Sequence, residues 1–249
     1  MDTMNTRDIF IHSIMNQDLQ KIRELYDAGK NNMSGWTPLH YAAHHGKLTS
    51  FECLLELGED LNALSYSASS ALSYAARSPF DVDYGIISKL ITNPNAPINS
   101  KDENGFTPLL DACFNRNLNS MMIIELLIRY GADINMRCVH HKTVLHFAAL
   151  CCVCTTKKIK MLCRFGATPL LDVQNSGERT VFHMNQHNAE VARTFLLLGA
   201  DPTPYSHICQ ARSEGMISWT EDEAADLRYE VYFSWSLLDQ LLSVGLRDM

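Results

Sequence analysis

No apolar run in this 249-residue chain approaches the roughly 20 residues that a membrane-spanning helix requires, so an integral membrane role is not expected. The first residues include Asp2, Arg7 and Asp8 and no uninterrupted apolar core, which is not a secretory pattern. The chain is therefore expected to stay in the compartment where it is made. Basic residues are also scarce: 21 Lys and Arg stand against 28 Asp and Glu, a formal net charge of −7. Binding to a nucleic-acid backbone rests on clustered cations that neutralise phosphates, so this balance argues against such a partner. Lys157, Lys158 and Lys160 form a lone basic run, which reads as a solvated helix face rather than a phosphate site. Catalytic signatures are missing as well. There is no phosphate loop, no Gly-x-Ser-x-Gly, no kinase set and no His-Glu-x-x-His, so neither an enzyme nor a bound cofactor is expected.

What the chain does have is a phrase that returns five times: GWTPLHYAA at 35–43, ASSALSYAA at 68–76, GFTPLLDAC at 105–113, HKTVLHFAA at 141–149 and ERTVFHMNQ at 178–186. The anchors Thr37, Ser70, Thr107, Thr143 and Thr180 lie roughly 33 to 37 residues apart, a period that belongs to a solenoid and not to a globular core. Thr37 suits a helix N-cap, Pro38 the first helical position, and Gly35 a tight turn, so a turn runs directly into a helix. The small pair Ala42 and Ala43 predicts a close neighbour. A second phrase follows about eleven residues later, Leu-rich and ending at Gly58, Gly131, Gly166 or Gly199, where a left-handed cap closes a second helix. Each unit is thus turn, helix, cap, helix, cap.

Thr37-Pro38-Leu39-His40 with Ala42-Ala43, then Leu54-Leu55 and Gly58, resembles the ankyrin repeat, and the resemblance covers residues 32–200. It implies an all-α, ankyrin-type solenoid of stacked helix-turn-helix repeats with projecting β-turns and a concave binding surface. The expected organisation is an N-terminal capping repeat at 1–31 ending at Gly29, about five repeats at 32–200, and a loop with a divergent C-terminal cap at 201–249. A polar outer face suits the first of these, because one side has no neighbour. Departures are visible. Ser70-Ala71-Leu72-Ser73 replaces Thr-Pro-Leu-His in the second repeat, which ends in Asn93-Pro94. Asn185 and Gln186 replace the small pair in the fifth, predicting looser packing there.

Cys138, Cys151, Cys152, Cys154 and Cys163, with His140, His141 and His146 nearby, superficially resemble a metal site. Zinc needs its ligands to converge within about 2.3 Å. The repeat frame instead sets Cys138 and His140 at a turn tip, roughly 15 Å of helical rise from Cys151 to Cys154. Cys163 falls on the second Leu of the Leu-Leu phrase, a core place. Ordinary free thiols in a reducing cytosol or nucleus are the expectation. A redox pair among Cys151, Cys152 and Cys154, or a metal sensor, is the alternative. His40, His146 and His183 occupy the fourth place of the phrase, where the resemblance implies a bond that ties neighbouring turns together.

Recognition of another protein remains. Turn residues around the Gly position and the two residues after Ala-Ala should line the concave side. They include Met33, Trp36, His44 and His45, then Tyr66 and Arg77, then Glu103, Phe106 and Phe114, then His140 and Arg179. Trp36, Tyr66, Phe106 and Phe114 are the candidate anchors, since exposed aromatics usually await a partner. For Trp36 and Phe106 the competing reading is packing against adjacent turns. The function expected is a non-enzymatic scaffold, monomeric on its own, that binds a partner protein and neither nucleic acid nor membrane. The alternatives are a substrate-recognition adaptor of a ubiquitin ligase, docking through residues 229–246, and the cysteine-based sensor. Asn62 and Asn135 end the phrases GEDLN and GADIN, where the resemblance implies asparagine hydroxylation and the chain itself suggests bonding within a turn.

Overall fold

The computed structural model describes residues 5–30, 35–151, 154–185 and 188–201. Among these the chain is all-α, with twelve α-helices that succeed one another in pairs. They are α1 (Thr6–Asn16) and α2 (Leu19–Lys30), α3 (Pro38–His44) and α4 (Leu48–Glu56), α5 (Ala71–Ala76) and α6 (Tyr84–Thr92), α7 (Pro108–Phe114) and α8 (Ser120–Arg129), α9 (Val144–Leu150) and α10 (Thr155–Leu162), and α11 (Val181–Met184) and α12 (Ala189–Leu197). Each of α3, α5, α7, α9 and α11 begins directly after the phrase anchor. The side chains of Thr37, Ser70, Thr107 and Thr180 accept from the backbone N–H three residues on, and Thr143 closes a capping box with His146.

The first helices stack in chain order, α3 on α5, α5 on α7, α7 on α9, and α9 on α11. Close stacking is possible because Ala42, Ala43, Ala75, Ala76, Ala112, Cys113, Ala148 and Ala149 are all buried at the contact. Larger apolar side chains fill the space behind them. Phe51, Leu54, Leu72, Ile86, Ile87, Leu110, Ile124, Leu127, Leu145, Ile159, Leu162 and Phe195 are fully buried, each worth on the order of 2 kcal/mol. The fifth unit lacks the small pair, and its first helix is only four residues long. Asn185 is buried there and turns its amide back to the Val181 carbonyl at 2.9 Å. At the other end α1 and α2 pack on α3 and α4. Polar bonds reinforce that junction: Ser50 donates to the Ile14 carbonyl, Arg23 pairs with Glu56 at 2.7 Å, and the Tyr26 hydroxyl donates to Glu59.

The turns form a ladder. The N–H of Tyr66 donates to the Gly35 carbonyl, Glu103 to Ser67, Val139 to Asn104, and Ser176 to His140, all within 3.0–3.2 Å. Each turn needs one residue in the left-handed region. Gly105 supplies it in the third unit, where a Cβ would meet backbone atoms of Cys138 and Val139 at 3.0–3.2 Å. Ala68, His141 and Glu178 hold the same conformation with φ of 56°, 56° and 58°. A side chain is unfavourable there. Replacing Ala68 or Glu178 by Gly is expected to raise stability by roughly 0.5 kcal/mol each, after the greater freedom of an unfolded Gly is subtracted. Urea titration of the single variants checks this.

Some expectations are corrected. Lys158 does not belong to a solvated face. Its side chain is 0% exposed, and Nζ donates to the carbonyls of Asn115 at 2.5 Å and Cys113 at 3.5 Å, capping the end of α7. Only Lys157 and Lys160 of that run are exposed. Cys163 is half-buried, while Leu162 takes the core place, because the capping Gly166 sets the register one residue earlier. Helix α2 runs past Gly29 to Lys30. The segment 202–249, read as a loop and a divergent cap and carrying the proposed docking stretch, lies outside the described residues, as do Met33, Cys152 and Gln186.

Candidate functional site

Placing the phrases in register lines up three columns along the turns and first helices. After the turn come Trp36, Ser69, Phe106, Lys142 and Arg179. In mid-helix come Tyr41, Tyr74, Asp111, Phe147 and Met184, and at the helix end His44, Arg77, Phe114 and Leu150. Aromatic contacts show that these columns share one face. The Trp36 ring lies 4.0 Å from Tyr74, 5.0 Å from Tyr41 and 5.3 Å from His44. Phe106 and Phe114 both contact Phe147, at 4.8 and 5.9 Å. The Arg77 guanidinium sits 4.3 Å above the Tyr74 ring.

The candidate anchors divide. Trp36 and Phe106 are half-buried and pack against neighbouring units. Tyr66 is 82% exposed and lies against the Gly35 backbone, and Phe114 is 44% exposed. His44 and His45 are half-buried and lean on Phe80, itself half exposed. Burial lowers the pKa of both, and each is also near another cation or histidine. Ser78 donates to the His44 carbonyl, which holds the end of α3 against the next unit. Glu103, His140 and Arg179 are exposed on the turns. The carbonyls of His140 and Arg179 serve the turn ladder and the His146 bond.

Asn62 spends its side-chain oxygen on Asn93, which donates at 3.1 Å, and Asn135 bonds to Asp133 within its own turn. Cys151 is buried with its thiol on the Asn115 carbonyl and 3.2 Å from Lys158 Nζ. Cys113 is buried too, and its thiol is pushed up to about 12 by burial.

Two residues of this face escaped the sequence reading. Tyr74 is the ring on which Trp36 and Arg77 both rest. Asp111 is a carboxylate in an otherwise apolar column, 6% exposed. Burial pushes its pKa up to about 7, Arg77 pulls it down, Asp102 adds to the rise, and a side-chain hydrogen bond from Ser73 lowers it. Both residues stand at the fourth position of the first helix, so aligning the phrases would have drawn attention to them.

Among the described residues no helix is long and apolar enough to cross a membrane. The human and mouse proteins named Rabankyrin-5 are similar to this chain, 35% identical over 92 and 83 residues, 36% and 33% of this chain and 8% and 7% of those proteins. A target of rapamycin complex 2 subunit, AVO2 of Saccharomyces cerevisiae, is 28% identical over 169 residues, 65% of this chain and 35% of that protein. The chain thus spans a small part, at most about a third, of the length of these relatives. Residues 1–65 and 72–171 match the family described as ankyrin repeats (3 copies), and the chain belongs to that family.

Proposed function

We propose that the protein is a non-enzymatic scaffold that holds a partner protein on its concave face, across the turns and first helices of the first three repeats. The observation that carries this reading is Tyr66, a large aromatic left 82% exposed at a turn that joins the ladder through the Tyr66 N–H and the Ser67 carbonyl. Its ring contributes little to the stack, whereas Tyr, Trp and Arg usually dominate binding energy once desolvated. Phe114 and Arg77 extend the same surface. The relative named as a subunit of a larger complex is in keeping with a scaffold role. Free thiols throughout the described residues suit a reducing compartment such as the cytoplasm. We read the terminal pair α1 and α2 as a cap on the repeats, with the protein monomeric when alone.

A photo-crosslinking amino acid placed at Tyr66 or Phe114 is expected to capture a partner in cells. One at Arg129, on the outward helix α8, is the control. Tyr66→Ala and Phe114→Ala should each weaken the purified complex by roughly 30-fold while leaving the helical signal intact. Equal capture from Arg129, or undiminished affinity of both variants, rejects the concave face.

A further inference from the structure

Lys158 has no exposure, and its amine meets two carbonyls and a thiol. Nζ lies 2.5 Å from the Asn115 oxygen, 3.5 Å from the Cys113 oxygen and 3.2 Å from Cys151 Sγ. The Cys151 thiol also donates to the Asn115 carbonyl, at 3.1 Å. Three hydrogen bonds from the fourth repeat thus converge on the end of α7 in the third, two from the lysine and one from the thiol. Capping carbonyls needs only donors, and a hydroxyl or an amide donates as well. What this pair adds is a nitrogen nucleophile in contact with an oxidisable sulfur. Cys151 closes α9 and Lys158 stands in α10, so the two helices of one repeat hold the atoms together.

A thiol oxidised by peroxide becomes a sulfenic acid, which condenses with a nearby thiol or nitrogen. Cys113, whose charge and that of Cys151 act on each other, is a poor competitor: burial pushes its thiol up to about 12 and keeps it protonated. We propose that Cys151 and Lys158 form an oxidative modification site, at which hydrogen peroxide links Nζ to Sγ as a reversible sulfenamide. In the first step sulfur attacks peroxide, the S–O bond forms and the O–O bond breaks, giving Cys–SOH and water. In the second the nitrogen lone pair displaces hydroxyl from sulfur. The N–S bond forms, the S–O bond breaks, and the departing oxygen takes one N–H proton as a second water. Sulfur loses two electrons and one peroxide is reduced. Two equivalents of a small thiol reverse the link, the first freeing the amine and the second the mixed disulfide. Peroxide is little larger than water. Cys151 lies at a helix end, three residues before half-buried Cys154, so entry needs only fraying of the last turn. The link consumes the thiol donor and an amine proton, which leaves one N–H where three bonds served the end of α7. The third and fourth repeats should then part more easily.

Peptide mass spectrometry of the full-length protein tests this, after peroxide treatment, denaturation, alkylation of remaining thiols and acylation of amines. The peptide holding Cys151 and Lys158 should be about 2 Da lighter at that pair, with Cys151 not alkylated and Lys158 not acylated, while Cys152 and Cys154 are alkylated. Dithiothreitol before labelling should restore both. Cys151→Ser, whose hydroxyl can keep the bond to Asn115, should leave Lys158 fully acylated after peroxide. In the linked protein, hydrogen exchange at the end of α7 should quicken several-fold. Oxidation of Cys151 to sulfinic acid, its pairing with Cys113, Cys152 or Cys154, or its survival at doses that oxidise Cys154, each with Lys158 acylated, overturns the site. A linked pair about 14 Da heavier, with oxygen retained between the two atoms, overturns the sulfenamide. Unchanged exchange in the linked protein overturns its coupling to the stack.

Discussion

Asp111→Asn is expected to stabilise the protein by up to about 4 kcal/mol above pH 7 and by almost nothing below pH 4. The carboxyl of Asp111 is raised from the ordinary 3.8 to about 7, with burial the largest cause. In the folded state the neutral form is therefore favoured over the charged one relative to the unfolded chain. Below pH 3.8 both states are protonated and nothing is lost. Between pH 3.8 and 7 the unfolded chain ionises first, so folding stability falls as pH rises, and above pH 7 the loss is complete. A rise of about three pKa units corresponds to roughly 4 kcal/mol at 1.36 kcal/mol per unit. Asparagine keeps the size of Asp111 and has no charge to bury. Urea unfolding of both proteins at pH 8 and pH 4 measures the difference, and an equal effect at the two values contradicts a buried ionised carboxylate.

A residue that destabilises its own fold, on the face where a partner is proposed to sit, fits the trade between stability and function. The stack's own use for the group is the Ser73 side-chain hydrogen bond, which an amide oxygen accepts as well as a carboxylate does. Tyr41, Tyr74 and Phe147 fill the equivalent positions with rings that pack against their neighbours.

The solenoid was legible in the sequence because its signals are local. A Thr or Ser cap, a small pair and a capping Gly each act within a few residues, and recurrence at a fixed period multiplies them. The positive φ of Gly58, Gly131, Gly166 and Gly199 lies where that pattern placed it. Contacts between repeats were not legible in the same way. Asn115, Asn117 and Asn119 look like an ordinary polar loop. In the fold Asn115 donates to the carbonyls of Ala76 and Ser78, Asn117 to Phe80 and Asp81, and Asn119 to Asp81. Their partners lie 36 to 39 residues away, and no local rule names them. Lys158 is a different case, since the period did carry the signal. Thr155, Lys158, Ile159 and Leu162 fall at helical spacing on one stripe, and residue type misled where position did not. For the recognition face, the phrase showed which positions project from the turns. How far Trp36 and Phe106 sink against their neighbours depended on the rings of Tyr74 and Phe147.

Acid should unfold this protein through two buried histidines. His40 accepts from the Thr37 N–H at Nδ1 and therefore holds its proton on Nε2, which donates to the Ala63 carbonyl in the next turn at 3.1 Å. His146 repeats the arrangement between the Thr143 N–H and the Arg179 carbonyl at 3.3 Å. A second proton removes the acceptor that Thr37 and Thr143 need, and places a cation in a site with no exposure. Both side chains are lowered from 6.5 to about 4, chiefly by burial, with Arg77 acting on His40 and Lys142 and Arg137 on His146, against the opposing pull of the carbonyls. Their folded pKa is depressed, so the stability they give is whole above pH 6.5 and is lost as pH falls towards 4. The loss is on the order of 3 kcal/mol for each. Asp111 works in the opposite direction over part of that range, and the Asp111→Asn background separates the two. In that background, stability should fall steeply between pH 6.5 and 4. Further replacement of His40 and His146 by Asn, which bonds without titrating near neutrality, should flatten the profile even though it lowers stability at pH 7.5. A profile that stays steep without those two rings assigns the acid sensitivity to other groups.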